Sequence, residues 1–120
     1  MTKRIYLASP YSDQSLKVRN NRYLAVCKAA GELIAVGELV FSPIAHSHGI
    51  ATVCNLPIDW DYWKRSCRAE MESCDLFWVL MLRGWSESVG IGKEHLIARE
   101  LGMVPSYHAP SCFGITEETR

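Results

Sequence analysis

Five consecutive apolar residues, Leu76-Phe77-Trp78-Val79-Leu80, lead into the glycine-rich stretch Gly84-Trp85-Ser86-Glu87-Ser88-Val89-Gly90-Ile91-Gly92-Lys93-Glu94 and then a helical pattern that stops at Gly102. An apolar run without alternation is buried on both faces, as in a parallel sheet. The segment therefore reads as strand, glycine-rich turn, helix. Such a turn aims backbone N–H groups and the positive end of the helix at an anion or polar ligand above the sheet. Glu94, in the helix's first turn or just after it, brings a carboxylate to the same crevice. Loops between strands and helices use glycine anyway, so the information lies in the joint pattern Ser88-x-Gly90-x-Gly92-x-Glu94 following a buried strand.

Other segments repeat the alternation of strand and helix. Arg4-Ile5-Tyr6-Leu7-Ala8 is a short apolar strand ended by Ser9-Pro10, with Ser12, Asp13 and Ser15 as candidate caps for the helix that follows. That helix is expected from about Val18 to Val36, with Tyr23, Val26, Cys27, Ala30 and Ile34 at helical spacing and Gly37 after its end. Leu39-Val40-Phe41 reads as a second strand, stopped by Ser42-Pro43. Ile44 to Ile58 has no clean period and reads as a long connection, a kind of segment that is often functional in compact domains. Trp60 to Ser73 is expected to be a helix with Trp63, Cys67, Met71 and Cys74 on one face, before the strand Leu76 to Leu80. A last helix from about Val89 to Leu101 precedes a short strand at Met103-Val104-Pro105.

This order predicts an α/β fold, a single-domain doubly wound parallel sheet of four to five strands, flavodoxin-like or Rossmann-like, over residues 1–107. Residues 108–120, with Pro110, Gly114 and an acidic end, read as a tail. Ligands of such sheets bind beyond the carboxyl ends of the strands, where the strand order reverses. The rule gathers Ser9, Pro10 and Tyr11, the segment Pro43 to His48, and Trp85 to Glu94 at one crevice.

Composition narrows the partners. At 120 residues the chain holds one sizeable core, and its 13 Lys and Arg balance its 13 Asp and Glu with no basic or acidic block. Neither a nucleic-acid polymer nor an anionic membrane is expected as the main partner. The basic start at Lys3-Arg4 is followed by too short an apolar run for a signal peptide, so a cytoplasmic location is expected. Five cysteines fit no complete disulfide framework and are expected as reduced thiols. His46, His48 and Cys54 are the residues from which a zinc site would be assembled, but structural sites use close-spaced ligand pairs and only one is present, so no metal is expected.

Three segments together resemble the nucleoside 2-deoxyribosyltransferase superfamily: Ile5-Tyr6-Leu7-Ala8-Ser9-Pro10-Tyr11, Cys74-Asp75 opening an apolar strand, and Gly84 to Glu94 with Ala98 and Gly102 after it. The serine-glycine-glutamate arrangement of Ser88, Gly90, Gly92 and Glu94 is similar to that of the 2′-deoxynucleoside 5′-phosphate N-hydrolases. The resemblance implies cleavage of an N-glycosidic bond, or deoxyribosyl transfer, on a nucleoside or nucleotide. Glu94 stands at the position of the nucleophile, and Tyr6 at that of a tyrosine orienting it. Ser88 and the N–H groups around Gly90 and Gly92 match the seat of a 5′ substituent. No cofactor is implied, and a homodimer or higher homo-oligomer is. Where that superfamily often carries an aspartate assisting the leaving base, this chain has Cys67; Asp59, Asp61 or His46 would have to supply that help from the long connection.

Each assignment has a plainer counterpart. A first-turn Glu94 would complement the helix dipole, by a few tenths to about 1 kcal/mol. Tyr6 on a buried strand is ordinary core, His46 in a loop is ordinarily solvated, and Asp75 would bond loop N–H groups. The four tryptophans are mostly core, with Trp85 placed by its turn to stack on a base or pack a neighbouring subunit. At the level of function, a non-catalytic nucleotide-binding module and a phosphoribohydrolase-like enzyme are the alternatives.

Overall fold

The chain runs outward from its first strand, crosses back, and runs outward on the other side. In the computed structural model, which describes residues 2–116, β1 (Arg4–Ala8), β2 (Leu39–Phe41), β3 (Leu76–Leu80) and β4 (Pro105–His108) form one sheet in the order β2-β1-β3-β4. All three pairings are parallel, with Tyr6 beside Phe41 on one side and Phe77 on the other. Between them lie α1 (Leu16–Ala35), α2 (Pro43–Cys54), α3 (Trp60–Glu72) and α4 (Val89–Glu100). Strand order reverses between β1 and β3, which is where such a sheet opens a crevice. This is the expected single-domain, doubly wound α/β fold, with four strands.

Alternation along the strands divides the core into two layers. Tyr6, Ala8, Phe77 and Val79 point to one face and pack with Cys67 and Met71 of α3 and Ile91, Ile97 and Ala98 of α4. Leu7 and Leu80 point to the other, against Ala25, Val26, Ala29 and Ala30 of α1. That row of small side chains lets α1 lie close to the sheet. The expected face of α1 is therefore only half right: Val26 and Ala30 are buried, whereas Ile34 is 57% exposed. Alanine adds little to a hydrophobic pattern, so its row was outweighed by larger residues that face solvent.

Three boundaries differ from expectation. The connection Ile44 to Ile58 is mostly the helix α2, capped at Ser42, whose Oγ accepts from Ala45 N–H at 3.0 Å, and closed by Asn55 in the left-handed region at φ 54°. Pro43 at its first position and Asn55 at its end were the available signals. Its apolar side is too short and too mixed with histidines to show a period. The last strand starts at Pro105 rather than Met103, because the turn after α4 is still closing: Met103 N–H bonds Ala98 C=O at 2.8 Å, and Val104 is exposed. Beyond it, the chain is not a free tail as far as it is described. His108 stacks on Trp78 at 3.8 Å, and Phe113 and Ile115 are buried with α1. The expected tail's end, residues 117–120, lies outside the described residues. No described helix is long and apolar enough to cross a membrane.

Candidate active site

Beyond the carboxyl ends of β1, β2 and β3 lies a cavity of about 790 Å³. Each strand contributes residues that follow it: Ser9, Pro10 and Tyr11 after β1, Pro43, His46 and His48 on α2 after β2, and Gly84, Ser88 and Gly90 after β3. Cys67, Trp60 and Trp63 of α3 form a further wall.

Glu94 lines the cavity. It occupies the second turn of α4, not the first, so complementing the helix dipole does not account for it. Its side chain turns inward, is 4% exposed, and accepts the Tyr6 O–H at 2.5 Å. Tyr6 is itself fully buried, with Phe41 and Phe77 each 5.9 Å away, ring centre to ring centre. Burial pushes the Glu94 carboxyl up to about 7, against the opposing hydrogen bond from Tyr6. Burial first, then the charge of Glu94, raises the Tyr6 phenol well above its ordinary value. Cys67 belongs to the same cluster. Its thiol is pushed up to about 11 by burial and by the Glu94 charge, so it stays protonated at neutral pH.

Ser88 caps α4, its Oγ accepting from Ile91 N–H at 3.2 Å. The cap leaves the N–H groups of Val89 and Gly90 directed out of the helix's first turn. Nearby, the Arg22 guanidinium reaches from α1 and donates to the carbonyls of Tyr11, Ser12 and Arg83 at 3.3, 3.1 and 3.2 Å, tying the loop after β1 to the loop after β3. A Cβ on Gly84 would stand 2.9 Å from Arg22 Nη2, and Gly84 already has φ +87°. Gly84→Ala is accordingly expected to destabilise the protein by about 1 kcal/mol or more, read as a lower urea midpoint. An unchanged midpoint would mean that the loop and Arg22 readjust freely.

Ser9 is 5% exposed, lines the cavity, and its Oγ has no hydrogen-bond partner among the described residues. A buried hydroxyl without a partner is costly unless a ligand or water supplies one. Asp59 also lines the cavity, at the N-cap of α3, where Oδ2 accepts from Tyr62 N–H at 3.3 Å. His46 lines it from α2 as an exposed ring beside Phe41.

Two of the expected binding residues lie elsewhere. Trp85, in a short 3-10 turn, packs on the core layer that holds Tyr6 and tilts against Tyr107 at 5.5 Å, and Gly92 is exposed on α4; neither lines the cavity. In the opposite direction, the sequence reading missed Arg22 and the role of His48. His48 is buried, its Nδ1 lies 2.6 Å from the Tyr11 hydroxyl, and its ring stacks on Tyr23 at 4.3 Å. Burial and the nearby Arg19 hold it below its ordinary value. Among the described residues no group of three His, Cys, Asp or Glu side chains is placed to hold a metal ion. The assembly of His46, His48 and Cys54 is not formed: His48 is engaged with Tyr11, and Cys54 lies exposed at the last position of α2. Asp75 has the plain role, accepting the Arg4 N–H at 2.8 Å.

A family model described as a domain of unknown function (DUF1937) matches residues 3–107, from just before β1 into β4. No curated protein matches the chain.

Proposed function

The chain belongs to the DUF1937 family, and we propose that it cleaves the N-glycosidic bond of a nucleoside or nucleoside 5′-monophosphate, with Glu94 as nucleophile. The observation that carries this reading is a buried carboxylate, oriented by the Tyr6 phenol at 2.5 Å, facing a cavity of about 790 Å³ at the reversal of strand order. The resemblance of Tyr6, Ser88, Gly90 and Glu94 to the deoxyribosyltransferase superfamily supports the same assignment.

In this scheme the Tyr6 O–H holds Glu94 Oε2 and leaves Oε1 to approach the anomeric carbon. The C–N bond breaks as the sugar gains oxocarbenium character, and the carboxylate captures it as a glycosyl ester. Water then hydrolyses the ester, or a second nucleobase accepts the sugar. The unpartnered Ser9 Oγ is suited to a sugar hydroxyl. Ser88, the first N–H groups of α4 and Arg22 are suited to a 5′ substituent. The test is release of free base from a panel of nucleosides and their 5′-monophosphates. Binding without release from any of them would instead identify a nucleotide-binding module.

Ser88→Ala removes both a cap and a hydroxyl beside the proposed 5′ site. We expect KM to rise about tenfold for 5′-phosphorylated ligands and less for nucleosides, with about 1 kcal/mol lost in stability. Equal weakening of both would move the phosphate elsewhere. The protein is further proposed to work as a dimer or larger homo-oligomer, which sedimentation at micromolar concentration tests; a monomer alone would refute it.

A further inference from the structure

The proposed reaction leaves one requirement open, which is how the base departs. A neutral nucleobase leaves as an anion unless a proton reaches it, and a placed acid typically contributes about 10²–10⁴ in rate. None of the groups around Glu94 is suited to this. The Tyr6 proton is committed to Glu94, and the phenol is held well above its ordinary value. The Cys67 thiol is pushed up to about 11. His48 is engaged with the Tyr11 hydroxyl at Nδ1, and burial and Arg19 hold it below its ordinary value, which disfavours the protonated ring an acid would need.

The walls of the cavity differ in chemistry. On the α1 side, Arg22 contacts three carbonyls and no carboxylate among the described residues. On the α3 side stand Trp60 and Trp63, both packed on the core layer that contains Tyr6 and Cys67. The Trp63 ring is fixed by its Nε1–H donating to Pro57 C=O at 2.7 Å. The charged side chains accompanying these rings at the cavity are carboxylates, Asp59 and Glu70. Indole rings and carboxylates on one wall favour a cation, while Arg22 brings a permanent positive charge to the other side, where Glu87 of the loop after β3 accepts from Ser86 Oγ at 2.6 Å. The buried, unpartnered Ser9 Oγ is an independent sign that a polar ligand belongs in this space.

Building on the glycosidase reading above, we propose that the substrate is a nucleotide whose base is already quaternised, an N-alkylpurinium or a pyridinium ring. Its positive ring lies on the α3 wall and its phosphate toward Arg22. Glu94 attacks the anomeric carbon, the C–N bond breaks, and its electron pair neutralises the ring cation, so the base leaves uncharged with no proton added. Water then hydrolyses the glycosyl ester, giving its hydroxyl to the sugar and its remaining proton to solvent. A cation bound beside Glu94 also favours the ionised, attacking form of a carboxyl that burial otherwise holds at about 7.

The experiment compares base release from 7-methyl-2′-deoxyguanosine 5′-monophosphate, nicotinamide mononucleotide and unmodified 2′-deoxyguanosine 5′-monophosphate, each corrected for release in buffer. The wild-type protein is expected to cleave at least one cationic nucleotide at least about a hundredfold faster than the unmodified one. Which of the two is cleaved separates purinium from pyridinium. Cys67→Asp, which places an acid beside the reacting groups, should raise cleavage of the unmodified nucleotide roughly tenfold or more and so narrow its gap to the cationic ones; no gain on the unmodified nucleotide would count against a missing proton donor as the reason for that gap. Comparable wild-type rates on all three would overturn this inference and leave the glycosidase reading standing, since His46 or another group would then be supplying a proton. No release from these three would overturn this inference, and no release from any other nucleoside or nucleotide of the panel either would overturn the glycosidase reading with it.

Discussion

Glu94→Gln is expected to lower base release by roughly a thousandfold or more while the protein still folds. The amide has the size of the carboxylate, and its oxygen still accepts the Tyr6 hydrogen bond made by Glu94 at 2.5 Å. It lacks the negative charge that meets the developing oxocarbenium ion, and it is a poor nucleophile toward carbon. Chromatographic release of base, with circular dichroism as the control for folding, measures the effect. Activity near wild type in a folded Glu94→Gln protein would exclude Glu94 as nucleophile, and with it the mechanism proposed above.

The parts of the fold legible in the sequence are those where one signal dominates. β3 is a run of apolar residues with no competing pattern, and β1 and β2 are short apolar runs cut by Ser-Pro pairs, so their limits were recoverable to the residue. The helix α3 combines a clear period with an N-cap at Asp59. What stayed hidden depends on tertiary context. α2 forms part of a cavity wall, and a helix that lines a cavity with His46, Ser47 and His48 has no reason to keep an apolar stripe. β4 is an edge strand that opens with Pro105, and nothing local distinguishes it from the exposed Met103-Val104 before it.

The candidate site was legible in its chain order and not in its contacts. A strand followed by Ser88-x-Gly90-x-Gly92-x-Glu94 led to Glu94, and Tyr6 followed from the resemblance; that the two share a hydrogen bond is a property of the β1/β3 register and the position of α4 over it. Spacing alone placed Gly92 and Trp85 with their neighbours, whereas the helical twist turns Gly92 to solvent and the 3-10 turn carries Trp85 toward β4. Arg22 lies mid-helix, eleven residues beyond Tyr11, whose carbonyl it holds. No sequence pattern marks such a contact. Cys67 was noted for the carboxylate it does not carry, and its place beside Tyr6 and Glu94 gives that absence a chemical meaning.

The same Glu94→Gln substitution is expected to make the protein more stable at alkaline pH. Burial raises the Glu94 carboxyl from 4.5 to about 7 in the folded protein. Between those values the folded state keeps a proton that the unfolded chain has released, so the favourable contribution is complete below about pH 4 and is lost as pH rises through about 7. A shift of that size corresponds to about 3 kcal/mol across the window. Glutamine does not titrate, so its stability lacks this slope. Urea unfolding at pH 5 and pH 8 should show the variant gaining on wild type by up to about 3 kcal/mol between the two. A constant difference would mean that Glu94 is ionised at little cost, with solvent or another group satisfying its charge. If the gain is found together with the loss of base release, then the carboxylate opposes folding at the pH where it is needed as an anion. Packing would be served as well or better by the amide, which leaves the chemistry at the anomeric carbon as the reason for a glutamate at this position.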